Sequence, residues 1–211
     1  DWSGQLLAYP IGADGSVGAL PAWDTNTAGK IPAHGSRQIY SRVAGANVEF
    51  AWTGLTAAQQ TALGGFGITE NILNWLRGDQ SNEQPGGVLR KRSQVLGDII
   101  NSNPAYVSAA NFGFDSLPTG TAGQGSYAAF QGANKSRPPM LYVGANDGMM
   151  HAFRASDGKE LFAYIPRAVA PYLNKLTHPN IIRILDLEED LGTAAQPSKA
   201  ATPPQVAGSC A

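Results

Sequence analysis

The sequence predicts a mainly β fold, a partial β-propeller of antiparallel blades with short helical insertions. The first observation is a pair of Asp-Gly turns, Asp147-Gly148 and Asp157-Gly158. This dipeptide suits hairpin turns of type I′, whose two central residues need positive φ. The turns separate three short apolar runs at residues 140–144, 149–153 and 160–164. Three short strands joined by tight turns are typical of a propeller blade.

The beginning of the chain repeats this pattern, which is the second observation. Residues 4–9, followed by Asp14-Gly15, match residues 148–153 followed by the second Asp-Gly turn. Each copy has a glycine, an apolar residue two places later, then Ala and an aromatic residue. After the turn each has an aromatic residue on the next strand, Trp23 or Phe162. Two copies alone indicate a repeat only weakly, so an open β-meander is the alternative fold.

Strands and helices are predicted between the two copies. Residues 2–23 are predicted to form two strands of a blade. A Gly-, Pro- and Asn-rich loop to Gly45 is predicted to contain one strand near residues 38–43, and alternation predicts a further strand at residues 47–52. A helical pattern follows at residues 55–63, with Thr56 as its cap. A better-defined helix covers residues 69–77, because Thr69 is a good N-cap and the apolar residues lie on one face. Gly78 suits the positive φ at which many helices end.

The second half of the chain continues with strands and loops. Strands are predicted at residues 95–100 and 105–108, and an exposed Gly- and Ser-rich loop at residues 112–131. A short helix is predicted at residues 166–176, with Pro166 in its first turn. The composition changes after Asn180. We therefore assign residues 1–180 to the propeller and residues 181–211 to a divergent tail of disordered composition.

The composition and net charge exclude several classes of function. Only 15% of the 211 residues are charged, while Gly 25 and Pro 14 are high counts, which suits a strand- and loop-rich extracytoplasmic protein. The net charge of −1 supplies no basic field for nucleic acid or an anionic membrane. No apolar run is long enough to span a bilayer, and no signal peptide opens the chain. We therefore expect a piece of a longer secreted precursor.

Several blocks, in order and with the right spacing, resemble the β-propeller domain of the PilC/PilY family, the type IV pilus tip-associated proteins. The blocks are Asn74-Trp75-Leu76-Arg77-Gly78-Asp79 with Ser81 and Glu83, residues 92–93 and 96–104, Tyr142-Val143-Gly144-Ala145-Asn146-Asp147-Gly148, and residues 151–153, 158–161 and 163–166. No single block is specific, because the Asp-Gly-Lys turn also occurs in quinoprotein propellers. The ordered set is specific, and it covers about residues 2–180.

The resemblance implies a non-enzymatic scaffold that supports pilus assembly, opposes pilus retraction and contributes to adhesion. It implies pilin or minor pilins as partners, together with a host-cell surface receptor. It places the protein outside the cytoplasm, at the outer membrane, pilus tip or surface of a Gram-negative bacterium. The calcium loop of the family propeller would lie further along, so no cofactor is expected here. The alternatives are a periplasmic quinoprotein dehydrogenase binding pyrroloquinoline quinone and a propeller scaffold of unrelated binding function.

No catalytic set emerges from the titratable residues. The three histidines, His34, His151 and His178, are scattered along the chain. Only His151 falls within a clear predicted strand, where a histidine is more often a packed or surface residue than a catalytic base. Asp147 and Asp157 resemble paired carboxylates, but both precede Gly in turns and are predicted to bond the local backbone.

A metal site is not predicted. The alternating acids Asp186, Glu188 and Asp190 resemble a calcium loop, but Gly192 comes one place late and no closing acid follows. A solvated acidic run is the better interpretation.

Arg77, Gly78 and Asp79 spell the tripeptide that integrins recognise. Recognition would need both charged groups on an exposed tip. The alternative is architectural: Gly78 ends the helix, Arg77 lies near its carbonyl end and Asp79 bonds nearby amides. The alternative is favoured because the surrounding block resembles a general family feature. The basic run at residues 90–92 is predicted to be a solvated edge or a partner for Asp79 and Glu83.

Overall fold

The computed structural model describes residues 2–178, and within them the core is a six-stranded sheet with a separate two-stranded sheet. The small sheet pairs β1 (Leu7–Ala8) with β2 (Trp23–Asp24). The strands of the large sheet are β3 (Ile39–Val43), β4 (Ala46–Glu49), β5 (Ala105–Val107), β6 (Met140–Ala145), β7 (Met149–Arg154) and β8 (Glu160–Ile165). Their order is β4-β3-β8-β7-β6-β5. The predicted tail at residues 181–211 lies outside the described residues.

The predicted three-stranded meander is confirmed, but the type of its turns is different. β6, β7 and β8 pair antiparallel in sequence, and turns at Asp147-Gly148 and Asp157-Gly158 join them. Only the glycine of each dipeptide has positive φ, 84° at Gly148 and 70° at Gly158, so neither turn is of type I′. The turn with two positive φ values joins β3 to β4 at Ala44 and Gly45, with φ of 48° and 84°.

The two copies of the repeated motif share one register. In the small sheet Ala8 pairs with Trp23, and in the large sheet Ala152 pairs with Phe162. The alanine of each motif therefore faces the aromatic residue of the next strand. The repeated motif thus has the same alanine–aromatic pairing in both sheets, although the connection between the paired residues is longer in the first copy.

The large sheet is mixed, whereas the sequence predicted antiparallel strands only. β3 pairs with β8 in parallel, with Ile39 opposite Ala163 and Ser41 opposite Ile165. No short turn joins these strands, which are more than a hundred residues apart in the chain, so no hairpin forces them to run in opposite directions. The β3–β4 hairpin thus extends a four-stranded antiparallel meander.

Both predicted helices are present with the predicted caps. Helix α1 (Ala57–Gly64) begins after Thr56, whose hydroxyl accepts from the amide of Gln59 in a capping box. Helix α2 (Glu70–Arg77) begins after Thr69, whose hydroxyl accepts from the amide of Ile72. It ends at Gly78 with φ of 115°. The strand predicted at residues 47–52 is shorter in the structure, because β4 ends at Glu49 and residues 52–54 form a 3-10 turn that leads into α1.

Two other predictions fail. Residues 112–131 are not one loop, since they contain a 3-10 turn (Phe114–Ser116) and the start of a third helix, α3 (Gln124–Asn134). The two glycines of α3 hide its helical pattern, and contacts of Tyr127 with Phe114 and Phe130 hold it. Residues 95–100 contribute only an isolated bridge at Gly97. By contrast, the short helix predicted at residues 166–176 is confirmed, as a 3-10 helix (Arg167–Thr177).

The two faces of the large sheet differ in exposure. Ile39, Ala163 and Phe153 are fully buried on one face, and Leu73, Trp75 and Leu76 of α2 are buried as well. On the opposite face Tyr40 and Met150 are 42% and 38% exposed. Alternation along paired strands places Tyr142, Phe162 and Tyr164 on that same face. We call these five residues the open sheet face.

Candidate functional site

Four charged side chains meet in the buried layer of the sheet. Glu160 accepts two hydrogen bonds from Arg37, at 2.6 Å from Nε and 2.8 Å from Nη2. Its Oε1 lies 2.7 Å from Nδ1 of His151, and Nε2 of His151 lies 3.1 Å from both carboxylate oxygens of Asp147. We call Arg37, Asp147, His151 and Glu160 the buried charge cluster. Two cations face two anions, so the cluster is neutral when all four are ionised.

A β-bulge directs Glu160 into this cluster. Ala152 pairs with Phe162, but Phe153 pairs with Glu160 rather than with Leu161, so β8 holds one extra residue at this point. Strict alternation would place Leu161 on the core side. The bulge turns Glu160 to that side instead, where it is 1% exposed.

The charges hold one another ionised despite burial. Burial alone would lower the pKa of His151, but the carboxylates of Asp147 and Glu160 raise it to about 9. Burial would raise the pKa of Glu160, and its hydrogen bonds with His151 and Arg37 lower it to about 2. The pKa of Asp147 is likewise lowered by His151 against the effect of burial.

The cluster clamps separate segments and offers no group for catalysis. Both ring nitrogens of His151 have carboxylate partners and its side chain is fully buried, so neither nitrogen is open to a substrate. Asp147 also accepts from the amides of Met149 at 3.1 Å and Gly97 at 3.1 Å. The predicted backbone-bonding role of Asp147 is therefore correct but incomplete. Its second partner, His151, fastens the β6–β7 turn to β8.

Arg77 lies in the interior beside this cluster. It is 4% exposed, and its guanidinium donates to the carbonyls of His34, Phe50 and Arg37 at 3.1, 2.8 and 2.6 Å. Arg37 returns the contact by donating to the carbonyl of Arg77 at 3.2 Å. This reciprocal pair connects the end of α2 to the start of β3. Integrin-type recognition would need the guanidinium exposed, so this geometry favours the architectural interpretation.

Gly78 and Asp79 have the local roles that the architectural interpretation assigns to them. A Cβ on Gly78 would lie 3.1 Å from Val95 Cγ1 in addition to the strain of positive φ. Asp79 accepts from the amide of Ser81 at 2.9 Å, and this bond lowers the pKa of its carboxyl. Integrin recognition by these three residues stays a prediction to be tested in the Discussion.

A second charged group surrounds Trp75. The guanidinium of Arg92 lies 3.8 Å from the centre of the Trp75 ring, and its Nε donates to Glu83 at 2.7 Å. Glu83 also accepts from the Arg92 amide at 2.9 Å, and the Trp75 indole donates to the Arg90 carbonyl at 3.1 Å. Arg92 is 7% exposed, so the predicted partnership with Glu83 is confirmed and the solvated edge is wrong for this residue.

The open sheet face is the part of the sheet that is available for contact. Tyr40 and Tyr142 each meet the Phe162 ring edge-on, with centroids 6.3 and 6.4 Å apart. Beyond them, β5 forms the edge of the sheet, with Tyr106 and Val107 60% and 48% exposed. An aromatic face beside an exposed edge is a surface for packing against another sheet or chain.

Sequence reasoning missed most of the buried charge cluster. It singled out Asp147 and His151 separately, but Arg37 and Glu160 carried no local signal, being 123 residues apart. Asp157, its other candidate, pairs instead with Arg154 and accepts from the amide of Lys159 at 3.1 Å. His34 contributes its backbone carbonyl to Arg77.

Two further observations concern residues 2–178. That part of the chain holds no group of three or more His, Cys, Asp or Glu side chains that could share a metal ion. The alternating acids at residues 186–190 lie outside the described residues. None of the described helices combines the length and apolar character needed to cross a membrane.

Comparison with known proteins identifies the family. The model of the PilY1 beta-propeller domain matches residues 96–175, which include β5 to β8 and three members of the buried charge cluster. A type IV pilus biogenesis factor PilY1 homolog of Xylella fastidiosa is 42% identical over 181 residues, covering 85% of this chain and 14% of that protein. The chain belongs to the PilY1 family. The resemblance drawn from the sequence blocks is thereby confirmed, ahead of the quinoprotein alternative.

Other PilY1 relatives agree. The type IV pilus biogenesis factor PilY1 of Pseudomonas aeruginosa strain PAK is 35% identical over 190 residues, covering 84% of this chain and 16% of that protein. The chain thus spans about a sixth or less of the length of the curated PilY1 relatives it matches. No solved structure matches the chain.

Proposed function

We propose that this chain is part of the propeller of a type IV pilus biogenesis factor and acts as a non-enzymatic binding scaffold. The observation that carries the proposal is the match of 84–85% of the chain to relatives named as such factors. On this proposal β5 to β8 form one antiparallel blade, and the β1–β2 hairpin belongs to another. The shared register of the repeated motif supports this assignment.

The distribution of charged and apolar groups supports a scaffold rather than an enzyme. The buried charge cluster and the Arg92–Glu83 pair use their charged atoms inside the protein, where they hold strands and loops together. On the open sheet face Tyr40 and Met150 are exposed, and Tyr142, Phe162 and Tyr164 are half-buried. Within a propeller this apolar face suits packing against the next blade, which leaves the loops of a rigid scaffold available to bind a partner.

The proposed partners are pilin or minor pilins and, in adhesion, a host-cell surface receptor. The proposed location is outside the cytoplasm, at the outer membrane, pilus tip or cell surface. Within this role the protein supports pilus assembly, opposes retraction and contributes to attachment. No cofactor is proposed for this part of the propeller.

Complementation tests the proposal. A bacterium with type IV pili that lacks its PilY1-family gene receives a full-length gene carrying this chain in the corresponding region. Sheared surface pilin and twitching motility should return. Met150→Glu, on the open sheet face, should reduce both, whereas Ile11→Glu on the β1–β2 hairpin should not. Full piliation with this region deleted would contradict the proposal.

Two further arms separate the finer roles. If the protein opposes retraction, deleting the retraction motor should restore surface pili to a strain lacking the gene. If it is also an adhesin, piliated cells with the chain should attach to epithelial cells better than piliated cells without it. Retention of added pyrroloquinoline quinone through desalting, read by absorbance, would favour the quinoprotein alternative instead.

A further inference from the structure

A groove with two arginines lies where the β3–β4 turn meets the end of α1 and the 3-10 helix at Arg167–Thr177. Its volume is about 450 Å³, within the range of roughly 300–1,000 Å³ that holds small ligands and side chains. Buried Val43, Leu63 and Ala170 form its apolar floor, and Phe66, 41% exposed, stands at its side. We call this the arginine groove, after Arg42 and Arg167 in its lining.

The charge of the groove has one sign. Arg42 and Arg167 are both exposed, and neither side chain has a hydrogen-bond or ion-pair partner within residues 2–178. Among those residues, none that lines the groove is acidic. Four arginines elsewhere in the described chain provide a contrast, since Arg37, Arg77, Arg92 and Arg154 all pair with carboxylates.

The rim of the groove is held in an unusual conformation. Ala44 has φ of 48°, the one positive φ among non-glycine residues 2–178. An L-residue with a Cβ costs roughly 1–2 kcal/mol in this region, where Asn, Asp or Gly is usual. The turn nevertheless places a methyl group beside the two arginines.

We propose that the arginine groove is a docking site for an acidic peptide segment of a protein partner, with an apolar side chain as its anchor. The apolar floor takes the anchor, and the guanidinium groups pair with carboxylates that flank it. Arginine suits carboxylates because its planar fork of donors matches their geometry. The net charge of −1 argues against nucleic acid or an anionic membrane as the occupant, since neither would be attracted from a distance. This site goes beyond the proposed pilus role, and its test requires no pili.

Fluorescence anisotropy of a labelled peptide tests the site. The probe alternates leucine with aspartate, and the matched peptide has lysine in place of aspartate. The full chain should bind the aspartate peptide and not the lysine peptide, and more weakly as salt is raised. Arg42→Gln and Arg167→Gln should each weaken binding roughly threefold to tenfold. Arg137→Gln, an exposed arginine outside the groove, should leave it unchanged.

The strained turn provides a second test that separates binding from folding. Ala44→Asp and Ala44→Asn both favour positive φ, so both should keep or raise the melting temperature. They differ in charge. The new carboxylate of Ala44→Asp should neutralise the arginines and weaken binding of the aspartate peptide. The affinity of Ala44→Asn for this peptide should stay within about twofold of that of the original chain.

Several outcomes would overturn the proposal. Equal binding of the lysine peptide, equal losses in the Arg137→Gln variant, or equal effects of Asp and Asn at Ala44 would each do so. Complete displacement by millimolar inorganic phosphate would make the groove a simple anion site. Binding of vesicles rich in phosphatidylserine, lost in Arg42→Gln, would make the occupant a membrane. A dimer that dissociates in Arg42→Gln would make it a second copy of the chain.

Discussion

Two glycines in equivalent turns of the repeat differ in their surroundings. Gly15 has φ of 82° with open space around it, whereas Gly158 has φ of 70° and a Cβ there would lie 2.4 Å from the Trp23 ring. Gly15→Ala should therefore cost about 1 kcal/mol of unfolding free energy, the strain of positive φ alone. Gly158→Ala should cost about 3 kcal/mol, because the ring of Trp23 must also move.

Urea unfolding of both variants measures this difference. The total tryptophan fluorescence should change in the Gly158 variant only, since the Trp23 indole donates to the Ala155 carbonyl at 2.9 Å beside that turn. Equal costs at the two glycines would show that Trp23 does not restrict the second turn.

Gly78 should matter for folding more than Asp79 matters for adhesion. Gly78→Ala should lower stability by at least about 1 kcal/mol, because of positive φ and the nearby Val95. Asp79→Ala should cost less, since its carboxylate caps a local turn. Thermal melts and integrin-adhesion assays of both variants in the full-length protein decide the question. Selective loss of adhesion in Asp79→Ala, with stability unchanged, would make the tripeptide a recognition site.

The charge of His151 makes the buried charge cluster sensitive to alkali. Its folded pKa of about 9 lies above the ordinary value of 6.5, so its contribution is complete below pH 6.5 and declines as pH rises to about 9. The loss should approach about 1.4 kcal/mol per pH unit in that window. The carboxyl pKa of Glu160 is lowered to about 2, so its contribution is complete above about pH 4.5 and declines toward pH 2. The pKa of Asp147 is lowered as well, so its contribution is also lost on the acid side.

Urea unfolding at several pH values compares the original chain with His151→Gln. The stability difference between them should shrink as pH rises from 6.5 to 9. Arg37, which also faces His151, stays charged throughout this range. A difference independent of pH would mean that His151 is neutral in the folded protein.

At the scale of elements, the helices and strands that could be predicted are those whose ends are set by capping or turn residues next to them in the sequence. α1 and α2 were predictable because Thr56, Thr69 and Gly78 cap them, and β6 to β8 because Asp-Gly turns separate them. α3 escaped because Gly125 and Gly132 weaken its pattern. The strand expected at residues 95–100 is apolar for another reason: Leu96 packs against Val143 and Phe153 in the core.

The candidate site was less predictable than the elements. Asp147 and His151 stood out as titratable residues in a predicted hairpin. The choice of Glu160 depends on a bulge, and the choice of Arg37 depends on the parallel pairing of β3 with β8. The bulge and the parallel pairing both arise from tertiary structure, so no spacing of residues in the sequence predicts them.

The Arg92–Glu83 pair lies in the segment that follows α2, and Arg92 packs this segment against Trp75 of that helix. Glu83→Gln should destabilise by about 3 kcal/mol, because it leaves a buried guanidinium beside Trp75 without its counter-charge. Asp157→Asn is the matched control. It breaks the Arg154–Asp157 pair, whose side chains are 37% and 38% exposed, and should cost much less. Denaturant midpoints measure both, and similar losses would show that burial does not set the value of these pairs.

At the scale of the whole molecule, the open sheet face should control the behaviour of the isolated chain. Antiparallel sheets can face water on one side when that side is polar, but here it carries Tyr40, Tyr142, Met150, Phe162 and Tyr164. The edge strand β5 adds exposed Tyr106 and Val107. A propeller protects such surfaces by packing blade against blade. The isolated chain should therefore self-associate at micromolar concentrations or melt with low cooperativity.

Sedimentation velocity over a concentration series tests this expectation. Met150→Lys should shift the chain toward monomer, because a charge directly opposite Tyr164 cannot be buried against a second apolar face without a large desolvation cost. Ile11→Lys introduces the same charge on the β1–β2 hairpin, where Ile11 is 74% exposed, and should leave association unchanged. A monomeric chain with a cooperative melt independent of concentration would show that this face is stable in water. The packing of neighbouring blades would then contribute little to its stability.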